Sequence, residues 1–378
     1  MDQPADQPKR ILLIGDYSNM HSQLAQTLRG LGHDVTLMSD GCGFQNTDRD
    51  IDLRRLLPGP AGGALLTARM LGPLHKRLRG YDVVALQSPS FVTLRPKRLK
   101  MLFDRLRGEN GAVILTAAGT DTVYLSEAVN PASPLRYNEW RIGDRPTAYA
   151  RANVALLDRW SDPGLHKYTD YFYANIDGAV TALYEYDIAV RRVLGNDKVA
   201  YIGIPVDTAA LSPFEWPEGD QVRFFLGRHS ARMLEKGTDL LERAARTVCQ
   251  RHPGRASLTV VEDRPYAEYI GTMANSHIML DQVYSYTPAT NAMIAMARGL
   301  VTVSGAEPEF YDFIGEHANR PIVNAPVDID LLTDTLDSLV TAGPDTLRQR
   351  GLDSRRFVQR HNDAAVVARR FLDFITGL

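Results

Sequence analysis

The sequence predicts an α/β protein of two doubly wound domains, each a parallel sheet with helices on both faces. Three observations carry this prediction. Near-continuous apolar runs such as "RILLIGD", "YDVVALQS" and "AVILTAA" are what strands buried on both faces require. Amphipathic helical stretches separate most of these runs, which is the βα rhythm of a parallel sheet. The rhythm stops once, at "GIPVDTAALSPFEWPEGD", where three prolines and little periodicity mark a linker, and then restarts.

Taken in order, "RILLIGD" is the first strand and "HSQLAQTLRGLG" the first helix, with Gly32 as its stop signal. "HDVTLMS", "YDVVALQS", "AVILTAA", "GAVTAL" and "KVAYIGI" supply the remaining strands of the first half. Beyond the linker come "VRFFLG", a helix over 236–251, "ASLTVV", a short helix, "HIMLD", a helix near 290–298, "LVTVS" and "RPIVN". The chain closes with "DAAVVARRFLDFITGL", a helix with one apolar face. This gives a leader over 1–9, a first domain over 10–205, a second over 206–355, and a closing segment 356–378 expected to pack back on the first domain. Two such domains are expected to bind ligand in the cleft between the carboxyl ends of their sheets.

At 378 residues, 44% apolar and 23% charged, the chain has the size and composition of a two-domain globular protein. No apolar run approaches the roughly 18–20 residues that span a bilayer. "MDQPADQPKR" is polar with no apolar stretch behind it, and reads as a short disordered leader rather than a signal peptide. Cys42 and Cys249 are the only cysteines, too few for a disulfide framework or a zinc site, so a reducing cytoplasm is the expected compartment. A net charge of −2 argues against general nucleic-acid binding. The charge is uneven, however. Arg95, Lys97, Arg98, Lys100, Arg105 and Arg107 crowd a helix whose apolar face is Leu99, Leu102, Phe103 and Leu106. Residues 95–107 are either a solvated basic face or a patch that rests on anionic lipid headgroups, making the protein peripheral at a membrane.

Three loops at strand ends carry polar residues suited to chemistry. In "GRHSARMLEKG", Gly227 allows backbone to approach a ligand, while Arg228 and Lys236 bring two cations to a helix start. Free N–H groups and the helix dipole there suit a diphosphate; the plain alternative is a surface loop whose cations face water. In "GDYSNMHSQL", Gly15, Ser18, Asn19 and His21 lie between the first strand and helix, with His21 able to change charge near neutrality. Ser18 or Asn19 equally suits the role of helix cap. The spacing lacks G-x-G-x-x-G, so no dinucleotide fingerprint is present. In "LTAAGTDTVYL", Gly119, Thr120 and Asp121 form a small polar loop suited to acceptor hydroxyls, with Asp121 a candidate base. The aromatic stretch "HKYTDYFYANIDGAVTALYEYD" reads mainly as core. The sequence has no H-E-x-x-H, so no metal or other cofactor is expected.

"FFLGRHSARMLEKGTDLLERAAR" resembles the G-R-x(n)-K-G-x-x-x-L-x-x-A stretch that opens the second domain of retaining GT-B glycosyltransferases. "IPVDTAALSP" is similar to that family's linker, "NAMIAMARGLVTVSGAEPE" to its "LEAMA.G.PVV" segment, and "RILLIGDYSNMHSQLAQTLRGLGHDVTLMSDG" to its N-terminal unit. Together these cover both domains in the family's order. The resemblance implies a GT-B fold and transfer of a sugar from a nucleotide-diphosphate sugar to a glycan, a lipid-linked or another small acceptor. It implies that Arg228 and Lys236 grip the diphosphate, whose neutralisation is the main catalytic term. It also implies that the N-terminal loop faces donor phosphate and acceptor, and that the departing phosphate takes the acceptor's proton.

The chain departs from the family at its Glu-x7-Glu, whose positions here are Tyr286 and Ile294. Neighbouring polar candidates for the donor are Asp281, Gln282, Tyr284, Asn291, Ala292 beside it, and Glu307. "LDQVYSYTPATNAM" is similar to a divergent subgroup with D-Q-x-x-S/G-Y…N-A in place of the usual pattern. Asn291 either bonds a ribose hydroxyl or caps a helix; Asp281 either orients the sugar or caps a loop. A non-catalytic sugar-nucleotide-binding protein and a sugar-nucleotide epimerase on the same fold are the competing readings.

Overall fold

A computed structural model describes residues 7–41 and 46–378; Cys42 and leader residues 1–6 lie outside the described residues. The described chain divides into two compact units. Unit 1 takes the chain up to Glu127, then Ala155–Pro205 and Ala364–Leu378; unit 2 takes Ala128–Val154 and Val206–Asp363. Residues 128–154, placed in the first domain from sequence, thus group with unit 2.

Unit 1 contains β1 (Arg10–Ile14), α1 (Met20–Gly30), β2 (Asp34–Ser39), β3 (Ile51–Asp52), α2 (Gly59–Leu71), β4 (Val83–Leu86), α3 (Pro96–Glu109), β5 (Ala112–Ala117) and α4 (Thr122–Ala128). The segment 128–154 supplies the hairpin β6 (Arg141–Ile142) and β7 (Arg145–Pro146) with α5 (Ala148–Ala152). Unit 1 resumes with α6 (Val154–Trp160), α7 (Pro163–Asn175), β8 (Gly178–Thr181), α8 (Tyr184–Leu194) and β9 (Val199–Tyr201). Its strands form a parallel seven-stranded sheet in the order β3-β2-β1-β4-β5-β8-β9. Because successive residues of a strand face opposite ways, β1 feeds two cores. Leu12 and Ile14 pack with Leu99, Phe103 and Phe172 on one side; Ile11 and Leu13 pack with Leu24, Leu28, Val367 and Phe371 on the other. The last two belong to the closing helix, introduced below, which therefore covers unit 1's own sheet.

Unit 2 contains β10 (Val222–Arg228), α9 (Met233–Lys236), α10 (Thr238–Arg251), β11 (Ala256–Glu262), α11 (Tyr266–Met273), β12 (Ile278–Leu280), α12 (Thr290–Ala297), β13 (Val301–Ser304), α13 (Pro308–Phe313), β14 (Val323–Asn324) and α14 (Ile329–His361). The chain then ends in α15 (Ala364–Thr376), which packs on α1 within unit 1. The sheet is parallel, in the order β11-β10-β12-β13-β14. Phe224 and Leu226 point to α10 and α14, through Leu241, Val248, Leu332 and Leu336; Phe225 points the other way, to Met273, Ala295 and Leu300. α14 breaks at Gly343, whose φ of 78° precedes Pro344 and cannot continue a helix. The expected helix over 236–251 is likewise broken, at Gly237, whose φ of 68° separates α9 from α10.

Each sheet has one place where the chain reverses its direction of winding. In unit 1 it lies between β1 and β4, and in unit 2 between β10 and β12. Loops after those strands diverge and leave a crevice, where open α/β sheets bind ligands.

Candidate functional site

In unit 2 the divergent loops are the ones after β10 and β12, and the structure brings Lys236 and Asp281 together from them. Lys236 is the last residue of α9. The left-handed turn at Gly237 follows it, and a Cβ there would stand 3.0 Å from Val283 Cβ. The Lys236 carbonyl accepts the Val283 N–H at 2.8 Å, which ties the two loops together. Lys236 Nζ then donates to Asp281 Oδ1 at 3.1 Å. Asp281 is 1% exposed, and its Oδ2 accepts from Ser304 Oγ at 2.8 Å and from the Ala289 N–H at 3.4 Å. Both Asp281 oxygens therefore serve the protein, holding the loop before α12. Lys236, with three N–H donors and one committed to Asp281, retains donors for an anion.

Arg228 ends β10 directly opposite Glu262 of β11. Its Nε donates to Glu262 Oε2 and its Nη1 to Glu242 Oε2. Burial works to lower the Arg228 pKa, but the two carboxylates outweigh it and raise the value. The guanidinium is thus paired with carboxylates on two edges.

Gly227 packs against the Tyr269 ring. A Cβ at this position would lie 2.0 Å from Tyr269 Cε2, so the glycine makes room for that ring. The Tyr269 hydroxyl is buried without a hydrogen-bond partner, and burial pushes its pKa up.

The positions around Tyr286 form a second cluster, which sequence reasoning only half finds. Tyr286 is 1% exposed and its ring stacks on Tyr137 at 5.0 Å between centroids. The Arg136 N–H donates to the Tyr286 hydroxyl at 2.6 Å, and the Arg136 guanidinium pairs with Glu307 and Glu309. Glu307 Oε1 also accepts from Tyr137 Oη at 2.7 Å and Asn324 Nδ2 at 2.8 Å. Ring and hydroxyl of Tyr286, and both carboxylate oxygens of Glu307, thus bind the segment 128–154 to unit 2. Arg136 and Tyr137 sit in "PLRYNEWRIGDRP", where no periodicity marks them. Only the turn residues around Gly143 (φ 55°) hint at the hairpin. Asn291 and Ala292 lie in the first turn of α12, whose N-cap is Ala289, so Asn291 is not the cap. Ala292 is fully buried, Gln282 donates to the Thr287 carbonyl at 3.1 Å, and Tyr284 packs against the unit 2 core.

In unit 1 the loop after β1 is an Asp16 site. Asp16 is 1% exposed; its Oδ1 accepts the His21 N–H at 3.0 Å, and its Oδ2 accepts from Ser22 Oγ and from Thr47 Oγ1 at 2.9 Å. Asp16, rather than Ser18 or Asn19, thus satisfies the first turn of α1. Ser18 and Asn19 instead carry the turn, at φ 54° and 62°, with the Asn19 side-chain amide 2.6 Å from Ser22 Oγ. Gly15, at φ +88°, leaves only 3.2 Å between a Cβ and the Gln87 side chain. His21 is fully buried between the Gly15 carbonyl at 2.8 Å and Thr116 Oγ1 at 3.0 Å. Burial lowers its pKa to about 4 against the pull of Asp16 and the Gly15 carbonyl. The expectation that His21 changes charge near neutrality is therefore corrected: burial favours its neutral form there.

Asp121 is also structural. Its Oδ1 accepts the Tyr124 N–H and its Oδ2 the Tyr173 hydroxyl, each at 2.7 Å, at the start of α4. Burial raises its pKa, with these donors opposing the rise. Gly119 lies against the Tyr17 ring, where a Cβ would stand 3.1 Å away, and Thr120 beside it is half-buried.

Among the described residues, no group of three or more His, Cys, Asp and Glu is placed to hold a metal ion. No described helix is long and apolar enough to cross a membrane. No family model matches the chain, and no curated protein matches it. Solved structures do match along the whole chain. A sucrose-phosphate synthase from Thermosynechococcus elongatus matches at TM-score 0.63 and 14% identity, covering 98% of each chain. A glycosyltransferase from Rickettsia africae matches at TM-score 0.59 and 14% identity, covering 98% of this chain and 99% of its own. The fold is GT-B. The Anabaena protein HepE, solved with UDP and glucose, is similar at TM-score 0.56 and 10% identity over 98% of this chain and all of its own. In a GT-B protein the two units are the two Rossmann-like domains, which agrees with the two parallel sheets and their winding.

Proposed function

We propose that this GT-B protein is a glycosyltransferase that moves a sugar from a nucleotide-diphosphate sugar to a glycan, lipid-linked or other small acceptor. The observation that carries the reading is Lys236, a lysine with uncommitted donors held at the winding reversal of unit 2 by a buried aspartate. A preorganised cation at a strand-end crevice stabilises charge that develops on a leaving diphosphate. Arg228 supports it from the end of β10 through Nη2, the edge of its guanidinium without a carboxylate. The HepE structure, with UDP and glucose bound, supports a uridine nucleotide as the first donor to test.

In the transfer, the bond from the anomeric carbon to the diphosphate breaks as the bond to the acceptor oxygen forms. The acceptor's proton passes to the departing phosphate, and a nucleoside diphosphate leaves. The resemblance in sequence supports retention of configuration and a reaction that needs no metal. Because Asp281, Glu307 and Tyr286 are engaged within unit 2, sugar hydroxyls fall to main-chain groups and to Asn291 in the first turn of α12. A lipid-linked acceptor would bring the cations of 95–107 to an anionic membrane surface.

The neutralised state of Arg228 favours one second reading, a GT-B protein that binds a sugar nucleotide without turning it over. Assaying UDP- and GDP-sugars with and without chelator separates the two. Release of nucleoside diphosphate with product of retained configuration supports transfer. Tight nucleotide binding with no donor consumed, across all donors and acceptors tried, overturns it.

A further inference from the structure

The basic stretch 95–107 separates into two sets in the structure. Lys100 pairs with Asp104 at 2.7 Å and rests over the Tyr171 ring at 3.8 Å; Arg105 pairs with Glu109 at 3.1 Å; Arg107 reaches Asp177 at 4.0 Å. Arg95, Lys97 and Arg98 have no carboxylate in salt-bridge range among the described residues, and neither does Arg55. Arg55 and Arg98 come from different segments and meet: each has a guanidinium nitrogen 3.1 Å from where a Cβ on Gly63 would stand. Two like charges are thus held together with no protein anion between them.

Beside them the surface turns apolar. Leu56 is 68% exposed, Leu57 49% and Leu65 37%, in a stretch where every residue from 54 to 61 is exposed. The turn at Pro58 and Gly59 (φ 61°) holds the two adjacent leucines outward at the start of α2. Exposed leucines clustered in this way mark a contact surface. The cations around them select an anionic one. A bilayer takes both features at once: phosphate headgroups meet the arginines and lysine while the leucines enter the acyl boundary, with no shaped groove required.

We propose that this face of unit 1 docks on an anionic bilayer, with Arg55, Arg95, Lys97 and Arg98 on headgroups and Leu56 and Leu57 inserted. The proposal deepens the transferase reading, on which it rests for the lipid-linked acceptor, and moves the contact from the helix 95–107 as a whole to its first turn and the loop 54–61.

The experiment is sedimentation of the full chain with vesicles of equimolar phosphatidylcholine and phosphatidylglycerol, against vesicles of phosphatidylcholine alone. Binding is expected only with phosphatidylglycerol and falls with salt. Arg95→Glu, Lys97→Glu and Arg98→Glu together lower it at least about tenfold. Leu56→Ser with Leu57→Ser lowers it about tenfold without changing the salt slope. Leu352→Ser, at an exposed leucine of unit 2 (43%), leaves it unchanged. All are surface substitutions, and an unchanged melting curve checks that they fold. Equal binding to neutral vesicles, indifference to the charge reversals, or no binding at low salt overturns the proposal; the last leaves an acidic protein as the partner of this face. Donor turnover, measured on the same preparations with a soluble acceptor, keeps the two readings apart. Turnover without vesicle binding overturns only the docking, and vesicle binding with no donor consumed on any acceptor tried, lipid-linked ones included, overturns only the transferase.

Discussion

Lys236 Nζ sits 3.1 Å from Asp281 Oδ1, and the aspartate has almost no contact with water. Removing one partner of such a pair leaves a buried charge uncompensated. Lys236→Met is therefore expected to destabilise unit 2 by about 3 kcal/mol and to lower turnover on the order of 100-fold. Adding Asp281→Asn should restore the melting temperature and leave the turnover low. A double variant that recovers both would remove Lys236 from the donor site.

Gly227 and Tyr269 form a steric pair. Gly227→Ala places a methyl 2.0 Å from the Tyr269 ring, a clash expected to cost about 2 kcal/mol. Tyr269→Ala clears the space, so the double variant should be no less stable than Tyr269→Ala alone. Denaturant titrations of the four proteins give the coupling directly; additive losses would mean that the ring does not occupy this space.

Acid acts through His21 at a higher pH than through Glu316. Burial holds the folded His21 pKa at about 4, below its unfolded 6.5. Its neutral form thus favours folding fully above 6.5, and this contribution, about 3 kcal/mol, is lost as pH falls to about 4. Burial works to raise the Glu316 pKa, but His361, the Asn319 and Ala318 N–H groups and Arg360 lower it from 4.5 to about 2. Its share therefore persists until pH drops below 4.5. Acidification from neutral should weaken unit 1 through His21, and unit 2 through His277, whose pKa burial also lowers, before the Glu316 contribution is lost. His21→Asn should flatten the stability profile between pH 6.5 and 4, and Glu316→Gln only below 4.5; calorimetry across that range is the check.

Tyr137 fastens residues 128–154 to unit 2 through its stack on Tyr286 and its bond to Glu307. Tyr137→Ala is expected to cost about 3 kcal/mol and to release the segment. Limited proteolysis should then cut within 128–154 well before the rest of the chain. Arg136→Ala, whose guanidinium is 55% exposed, should cost about 1 kcal/mol and release it only in part.

Much of the fold is legible from local pattern. Every apolar run read as a long strand is one, because a strand buried on both faces must be apolar throughout, and the helix at 95–107 shows its buried face in Leu99, Leu102, Phe103 and Leu106. Of the two-residue strands, β14 shows in the apolar pair of "RPIVN", while β3, β6 and β7 leave no pattern. Lys236 and Asp281 are both legible as polar residues at strand ends, but their contact is not, since it depends on the winding reversal between β10 and β12.

The sequence by itself determined two α/β units, the loops that end their strands, and the residue types available in those loops. Those features follow from hydrophobic period and turn chemistry, which act over a few residues. Only the tertiary structure decided which polar groups remain available. It spent His21 and Asp121 on unit 1's interior, turned Gly227 to a tyrosine, tied Arg228 to two glutamates, and delivered Arg136 and Tyr137 from the first half of the chain to unit 2. Buried polar atoms take whatever partner the packing brings within reach, and those partners here lie up to 170 residues away in the chain.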